Sequence, residues 1–196
     1  MKKFNPKNLH KLDSPKRREI LPPDLPSVLF GFEPGMHLVD FGCGSGYFSV
    51  SLAETIGPGG VLYAVDQRTE MLEALKDRIT SLGLDNIRCL NNHESDIPLK
   101  ASSVDGVFMA TVYHELASPA AVVREVMRIL KPDGRLMVID WRPIEEEIGP
   151  GLHHRVEPEA VIQVAQEAGF EFSGEIGFHN SFFWLSFSKT GLSTML

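Results

Sequence analysis

The chain has 196 residues, of which 43% are hydrophobic and 23% are charged, and its formal net charge is −7. This length suits a single domain with a sizeable core, and the acidic balance argues against a broad nucleic-acid interface, which needs clustered lysine and arginine. The sequence shows no membrane-spanning apolar run, no signal-peptide core near its start and no cysteine spacing typical of a metal site. We therefore expect a cytoplasmic protein with two reduced thiols, no membrane span, no nucleic-acid partner and no metal.

The first 33 residues are polar and rich in proline, which disfavours a long helix. Lys16 to Leu21 can form a short helix with Ser14 as its N-cap and Pro15 at its first position. Residues 25–32 are compatible with a second short helix. We expect residues 1–33 to be a helical arm, either solvated or packed as a cover, ahead of a main domain over residues 34–196.

The next stretch predicts a strand, a glycine turn and a helix. Met36 to Phe41 is mostly apolar, as in a strand that is covered on both faces. Gly42, Gly44 and Gly46 follow at alternate positions, where the missing Cβ lets the backbone approach a ligand closely. Apolar residues then recur at helical spacing, namely Phe48, Leu52, Ala53 and Ile56. Such a turn in front of a helix N-terminus is suited to a ligand with an anionic group, although a tight turn without a ligand has the same pattern.

A second predicted strand runs from Val61 to Asp66, after a Gly57–Gly60 turn that we expect at the surface. We therefore expect Gly60→Ala to affect cofactor binding less than Gly44→Val. Asp66 lies 20 residues after Gly46, where a carboxylate at a strand tip can accept both ribose hydroxyls. It could instead only cap the following helix, but Thr69 already suits that role.

The rest of the chain alternates helical and strand patterns and ends in two strand-like segments. In chain order the predicted elements are a helix over 69–82 ended by Gly83, strands over 86–90 and 104–110, a helix starting at Ser118-Pro119, a turn over 130–134, a strand over 135–140, a loop over 141–156, a helix over 158–168 and strands over 170–176 and 182–187.

Three features favour S-adenosyl-L-methionine over a nicotinamide dinucleotide as the ligand of the glycine turn. Asp40 precedes the first glycine by two residues, where nicotinamide-binding turns are usually apolar. Phe48 or Ser49 occupies the place of the third fingerprint glycine. The end of the chain is rich in strands and lacks a second mononucleotide-binding half.

With these motifs the chain resembles the class I S-adenosylmethionine-dependent methyltransferases over roughly residues 34–188. Within them it is most similar to the small, type 11 members related to the quinone-biosynthesis enzymes. The resemblance implies an α/β fold, a doubly wound Rossmann-like sheet of seven strands in the order 3-2-1-4-5-7-6. The sheet would be mostly parallel, with one antiparallel strand near the C-terminus. It also implies a small-molecule methyl acceptor, which it does not identify.

The resemblance also suggests which residues hold the cofactor. Asp40 and the glycine turn would seat the methionyl end, Asp66 the ribose, His93 or Glu94 the adenine, and Ala110 or Thr111 would line the methyl side. The full predicted set is Asp40, Phe41, Gly42, Cys43, Gly44, Gly46, Asp66, Gln67, Met71, Asn92, His93, Glu94, Ala110 and Thr111. The family more often has Asp where this chain has His93.

The acceptor side is predicted at the loops that follow the fourth and fifth strands. Its polar and aromatic candidates are Tyr113, His114, Glu115, Asp140, Trp141, His153, His154 and Arg155. His114, with Tyr113 beside it, is the best candidate for a base, although a role in fixing its own loop is as compatible with the sequence. The run 153–155 could bind an anionic acceptor or form a solvated turn.

Two other classes of function stay open at this point. One is a cofactor-binding regulatory or scaffold module without catalysis, and the other is a nicotinamide-dependent oxidoreductase. The sequence does not determine the oligomeric state.

Overall fold

The computed structural model of the protein describes residues 14–189. The chain divides into two compact units, one ending at His93 and the other beginning at Glu94. The expected boundary between an arm over residues 1–33 and a main domain remains a prediction.

Over its described residues, 14–93, the first unit is a parallel sheet of three strands with four helices. Its helices are α1 (Pro15–Ile20), α2 (Leu25–Leu29), α3 (Ser49–Ile56) and α4 (Thr69–Leu82), and its strands are β1 (His37–Phe41), β2 (Val61–Asp66) and β3 (Ile87–Asn91). Strand β2 pairs in parallel with β1 and with β3. Leu38, Val39 and Leu62 are fully buried, as expected for strands covered on both faces. The carboxyl ends of the three strands, where ligands bind in open α/β sheets, therefore lie at one edge.

As far as residue 189, the second unit contains four strands and two α-helices. They are β4 (Val104–Ala110), α5 (Pro119–Ile129), β5 (Leu130–Trp141), α6 (Pro158–Glu167), β6 (Glu171–Glu175) and β7 (Phe182–Ser188). Single 3₁₀ turns cover Tyr113–Glu115 and Leu152–His154. Strand β4 pairs in parallel with β5, and β7 is antiparallel to both β5 and β6. Trp184 and Phe187, both fully buried on β7, are among the largest side chains of this core.

The order of the strands is β3-β2-β1-β4-β5-β7-β6. This order, with β7 as the antiparallel strand, confirms the predicted Rossmann-like sheet of seven strands. Within residues 14–189, no helix is both long enough and apolar enough to cross a membrane.

The helix ends follow from local chemistry that the sequence displays. Ser14 caps α1, since its Oγ accepts the Arg17 N–H at 3.3 Å, and Pro15 occupies the first helical position as predicted. Gly83 ends α4 in the left-handed conformation with φ +66°, which glycine adopts without steric penalty.

Helix α3 begins at Ser49, three residues after Gly46, whose positive φ of +83° belongs to the preceding turn. Two local expectations are wrong. The turn predicted over residues 130–134 is an irregularity inside β5, whose pairing shifts from Val104–Leu130 to Gly106–Arg135. Gly60, expected in a surface turn, is buried, and a Cβ there would lie 2.5 Å from the Met36 carbonyl oxygen.

Asn86 joins the end of α3 to the start of β3 in the first unit. Its buried side-chain amide donates to the carbonyl oxygens of Ala53 at 2.8 Å and Gly57 at 2.9 Å. Each of these carbonyls, at the end of α3, also accepts a backbone N–H at 3.1 Å, from Gly57 and from Gly60 respectively, so the Asn86 amide supplies a second donor to each.

We expect Asn86→Ala to lower the free energy of unfolding by about 1–3 kcal/mol, because it removes two hydrogen bonds made by one buried side-chain amide. Denaturant titration measures this loss. Ser81→Ala is the control, since Ser81 makes an exposed bond within α4 and should change stability by less than about 0.5 kcal/mol. Equal stability of the two variants would contradict the bridging role.

Candidate functional site

The glycine turn after β1 is held in a conformation that glycine adopts readily. Gly42, Gly44 and Gly46 have φ values of +72°, +54° and +83°, in the left-handed region that other residues rarely enter. The N–H groups of Gly42 and Cys43 both donate to the Val65 carbonyl oxygen, at 2.8 and 3.1 Å. The turn is therefore fixed to the end of β2 by its own backbone.

Gly46 has a second reason to be glycine. A Cβ at this position would lie 2.3 Å from Leu75 Cδ1 on α4. The last glycine of the turn thus permits the close packing of α4, a packing requirement that the sequence pattern did not reveal.

Asp66, at the tip of β2, bonds to the glycine turn directly. Its Oδ2 accepts the Gly44 N–H at 3.0 Å and its Oδ1 accepts the Arg68 N–H at 2.9 Å, while the residue is only 6% exposed. An ionised carboxylate offers about four acceptor positions, so two remain for hydroxyl donors. Asp66 fits the ribose role predicted for it and also organises the turn.

Asp40 faces the interior rather than solvent. Its Oδ2 accepts the Ser49 hydroxyl at 2.6 Å, and both residues are buried. Burial raises the pKa of Asp40 to about 7; the Ser49 hydrogen bond opposes this shift, and the nearby charge of Asp66 adds to it. In this structure Asp40 accepts a hydrogen bond from the first residue of α3 and therefore orients that helix.

The other predicted cofactor residues of the first unit differ in exposure. Cys43 and Met71 are buried, and burial raises the pKa of the Cys43 thiol well above its ordinary value, so it is not a reactive thiolate. Gln67 and His93 are exposed, whereas Asn92 is buried beside the Asp66 backbone, to whose carbonyl its N–H donates at 3.4 Å. Phe41, the last residue of β1, is buried as well.

The end of the arm packs beside the glycine turn. The hydroxyl of Tyr47, the residue after Gly46, donates to the Leu21 carbonyl oxygen at 2.7 Å. The Arg17 guanidinium lies 4.7 Å from the centre of the Tyr47 ring, in a cation–π contact. Residues 14–21 are thus not a solvated tail, and a role as cover for the cofactor remains a prediction.

In the second unit, Glu94 has a structural contact that the sequence did not suggest. Its Oε1 accepts the N–H groups of Ala117 at 2.5 Å and Ser118 at 3.1 Å, just before α5. The Ser118 side chain, predicted as the N-cap, makes no capping bond. The adenine role of Glu94 stays a prediction beside this observed one.

Thr111, directly after β4, is strained. Its φ is +54°, a costly conformation for a β-branched residue, and its N–H donates to the Ile139 carbonyl oxygen at 2.7 Å. Ala110 before it is buried. Such strain concentrates at functional sites, which supports the prediction that this strand end lines a site.

His114 is paired with a buried carboxylate. Its Nδ1 lies 2.7 Å from Asp140 Oδ1, and its backbone N–H donates to Asp140 Oδ2 at 3.0 Å. Burial, the largest influence, lowers the pKa of His114, but the Asp140 hydrogen bond and charge, with Glu115, outweigh it, so the pKa is raised. Tyr113, buried next to it, has a pKa raised to about 12 by burial and by the Asp140 charge.

Arg155 organises the loop between β5 and α6 and is not available to a ligand. Its side chain is 1% exposed and its donors are used within the loop. They reach the carbonyl oxygens of Arg142, Ile144, Ile148 and Pro150 and the carboxylate of Glu146, at 2.6–3.1 Å. The hypothesis that Arg155 binds an anionic acceptor is therefore wrong. His153 is exposed, with its ring 4.1 Å from that of His154.

The raised pKa of Asp40 gives stability a defined pH dependence. Between about pH 4 and 7 the folded protein binds a proton that the unfolded chain does not. The stabilisation is complete below the unfolded pKa and is lost as pH rises through about 7. Asp40→Asn removes this titration, so its stability relative to the wild type should rise with pH.

We expect that relative stability to increase by about 2–3 kcal/mol between pH 5 and 8, from the roughly 1.4 kcal/mol that one pKa unit represents. Urea titrations across this pH range measure it. Asp77→Asn, at an exposed position on α4, should show no trend. If the free energies of unfolding of Asp40→Asn and of the wild type change with pH in parallel, folded Asp40 does not bind the additional proton.

Comparison with known proteins gives consistent matches. The family model described as "Methyltransferase domain" matches residues 39–138, half of the chain. A SAM dependent methyltransferase from Aquifex aeolicus has a similar crystal structure, with a TM-score of 0.91, 31% identity, and coverage of 96% of this chain and 100% of that one.

Curated relatives match over a shorter stretch. A demethylmenaquinone methyltransferase from Listeria monocytogenes serotype 4a is 30% identical over 112 residues, which are 57% of this chain and 47% of the relative. One from Lactococcus lactis is 29% identical over 106 residues, covering 54% and 42%. The match thus spans about half the length of these relatives. Because the family model and a whole-length structural relative agree, the chain belongs to the class I S-adenosylmethionine-dependent methyltransferases, with S-adenosyl-L-methionine as cofactor.

Proposed function

We propose that the protein transfers the methyl group of S-adenosyl-L-methionine to a small-molecule acceptor, with the cofactor held on the glycine turn and Asp66. The observation that carries this proposal is the turn itself. Three glycines stand at positive φ, and two of them, Gly42 and Gly44, donate their N–H groups to the Val65 carbonyl and the Asp66 carboxylate of β2.

The donor set of the first unit fits the cofactor. The methionyl carboxylate suits the N-terminus of α3, whose N–H groups and dipole favour an anion. The two ribose hydroxyls suit the acceptor positions that Asp66 retains after bonding Gly44 and Arg68. Asp40 would act by holding Ser49 and thus the direction of α3.

We further propose where each remaining residue of the predicted set would lie along the cofactor. Phe41, Gly42, Cys43, Gly44 and Gly46 would surround the methionyl end, Gln67 and Met71 would lie by the ribose, Asn92, His93 and Glu94 by the adenine, and Ala110 and Thr111 by the methyl group. The bound cofactor supplies a methyl group activated by its sulfonium. The chain binds, orients and excludes water.

For the acceptor, the relatives support one chemical class. Their printed name, demethylmenaquinone methyltransferase, makes a quinone-type ring the first class to test. The buried aromatic and polar residues Tyr113 and His114 suit a small ring with polar substituents.

A module that binds the cofactor without catalysis would show cofactor binding and no methyl transfer.

Titration calorimetry tests the cofactor. We expect S-adenosyl-L-methionine and S-adenosylhomocysteine to bind and NAD not to bind, because the turn carries Asp40 and the G-x-G-x-G pattern. Binding of NAD with no response to S-adenosyl-L-methionine would overturn the proposal.

Asp66→Ala should weaken S-adenosylhomocysteine binding by about 1.5–3 kcal/mol, the range for hydrogen bonds to a charged group. The same calorimetric titration measures it, with a melting curve to show that the variant is folded. Asp77→Ala, an exposed acid on α4, removes equal charge and should leave affinity unchanged. Unchanged affinity in Asp66→Ala would restrict Asp66 to a structural role.

A further inference from the structure

One ring nitrogen of His114, Nδ1, is bonded to Asp140, whereas Nε2 has no hydrogen bond within residues 14–189. The fully buried Asp140 carboxylate accepts the backbone N–H groups of His114 and of Trp141, the latter at 2.8 Å, and contacts His114 Nδ1. An ionised carboxylate only accepts, so the proton of the neutral ring resides on Nδ1. The unprotonated Nε2 is then the basic atom.

No described residue forms a hydrogen bond to this Nε2. The nearest charged group is Glu115 Oε1 at 4.0 Å, beyond hydrogen-bond distance. The ring is 9% exposed, so a small part of it stays accessible. Asp140 and Glu115 act on it as negative charges and Arg155 as a positive one. The result is an oriented base with an open acceptor position.

Tyr113 provides a second open polar atom in the same 3₁₀ turn. The residue is 4% exposed, and within residues 14–189 its hydroxyl has no hydrogen-bond partner. Leaving a buried hydroxyl without a hydrogen-bond partner is unfavourable, so such groups are rare in folded proteins and point to a missing partner or a functional role. Because its pKa is about 12, Tyr113 remains a neutral hydrogen-bond donor at physiological pH.

We propose that this turn receives an acceptor with an acidic aromatic hydroxyl, a phenol or hydroquinone, and that His114 Nε2 takes its proton during O-methyl transfer. The proposal rests on the proposed function. The acceptor O–H bond breaks and its proton bonds to Nε2; an oxygen electron pair forms the new O–CH₃ bond. The C–S bond of the sulfonium breaks and its electrons stay on sulfur. The imidazolium then releases the proton to water.

The other two groups have supporting roles. The Tyr113 hydroxyl donates to the acceptor oxygen, on which negative charge develops as the proton leaves. An acceptor that carries an ammonium group could not accept this hydrogen bond, so the Tyr113 hydroxyl selects for an oxygen acceptor. Asp140 is a positioning residue, since it holds the tautomer that keeps Nε2 basic and stabilises the imidazolium. An aromatic hydroxyl fits because its acidity is close enough to that of imidazolium for general-base transfer.

The discriminating variant is His114→Asn. Its side-chain amide can keep the bond to Asp140 while it removes Nε2. His179→Asn is the matched control, because His179 lies in the loop before β7 and its Nδ1 accepts the Ser181 N–H, a role that an amide oxygen can take over.

The assay uses full-length protein, S-adenosyl-L-methionine and a panel of 1-naphthol, 1,4-dihydroxynaphthalene, catechol and 1-naphthylamine. We expect methyl ethers from at least one hydroxyl acceptor and no N-methyl product. His114→Asn should lower kcat by about 10²–10⁴-fold with unchanged S-adenosylhomocysteine affinity. With 4-nitro-1-naphthol, which is already ionised at neutral pH, the loss should fall below about tenfold, since no proton remains to be taken.

Nitrogen-15 NMR of the cofactor-free protein gives an independent readout. Once the pH exceeds the raised pKa of His114, its ring should show a protonated Nδ1 and an unprotonated Nε2, and Asp140→Asn should change that tautomer. The opposite tautomer in the wild type would overturn the proposal. So would an equal loss for ionised and neutral acceptors, a C-methylated or N-methylated product, or S-adenosylhomocysteine binding without turnover of any hydroxyl acceptor. Failure of S-adenosylhomocysteine to bind would instead refute the proposed function itself.

Discussion

The attachment of the glycine turn to the tip of β2 is the constraint on which the first unit depends. Three glycines allow the turn to adopt positive φ angles, and hydrogen bonds to the Val65 carbonyl and the Asp66 carboxylate hold it in that conformation. The same turn admits α4 at Gly46 and directs the chain into α3, whose first residue bonds Asp40. A single turn thereby sets the position of two helices and of the carboxylate at the edge where ligands bind.

In the second unit, the buried carboxylate of Asp140 on β5 fixes both the backbone and the ring of His114. The hydroxyl of Tyr113, the preceding residue, has no hydrogen-bond partner within residues 14–189. The Arg155 guanidinium holds the loop after β5 together. Because methyl transfer needs little covalent chemistry from the protein, the roles we propose for these side chains are positioning and, for His114, that of a base.

The sequence predicted the fold well because its strongest signals are local. Apolar strands, capping residues and the resemblance carried by the glycine turn led to the strand order that is observed. The site was predicted less completely, because its decisive contacts join distant positions. The pairing of His114 with Asp140 spans 26 residues, and nothing in the pattern around Arg155 or Glu94 shows that their charges are used within the protein. The burial of Gly60 was not predicted, because it results from contacts with Met36 and Ile56, which are not adjacent to it in the sequence.

The central claim is that the positive-φ turn and Asp66 together form the cofactor site. A crystal structure of the protein with S-adenosylhomocysteine tests it most directly. The account predicts the amino-acid part of the ligand on the backbone of Gly42 to Gly46 and both ribose hydroxyls within hydrogen-bond distance of the Asp66 carboxylate. A ligand bound elsewhere, or one whose ribose makes no contact with Asp66, would contradict it.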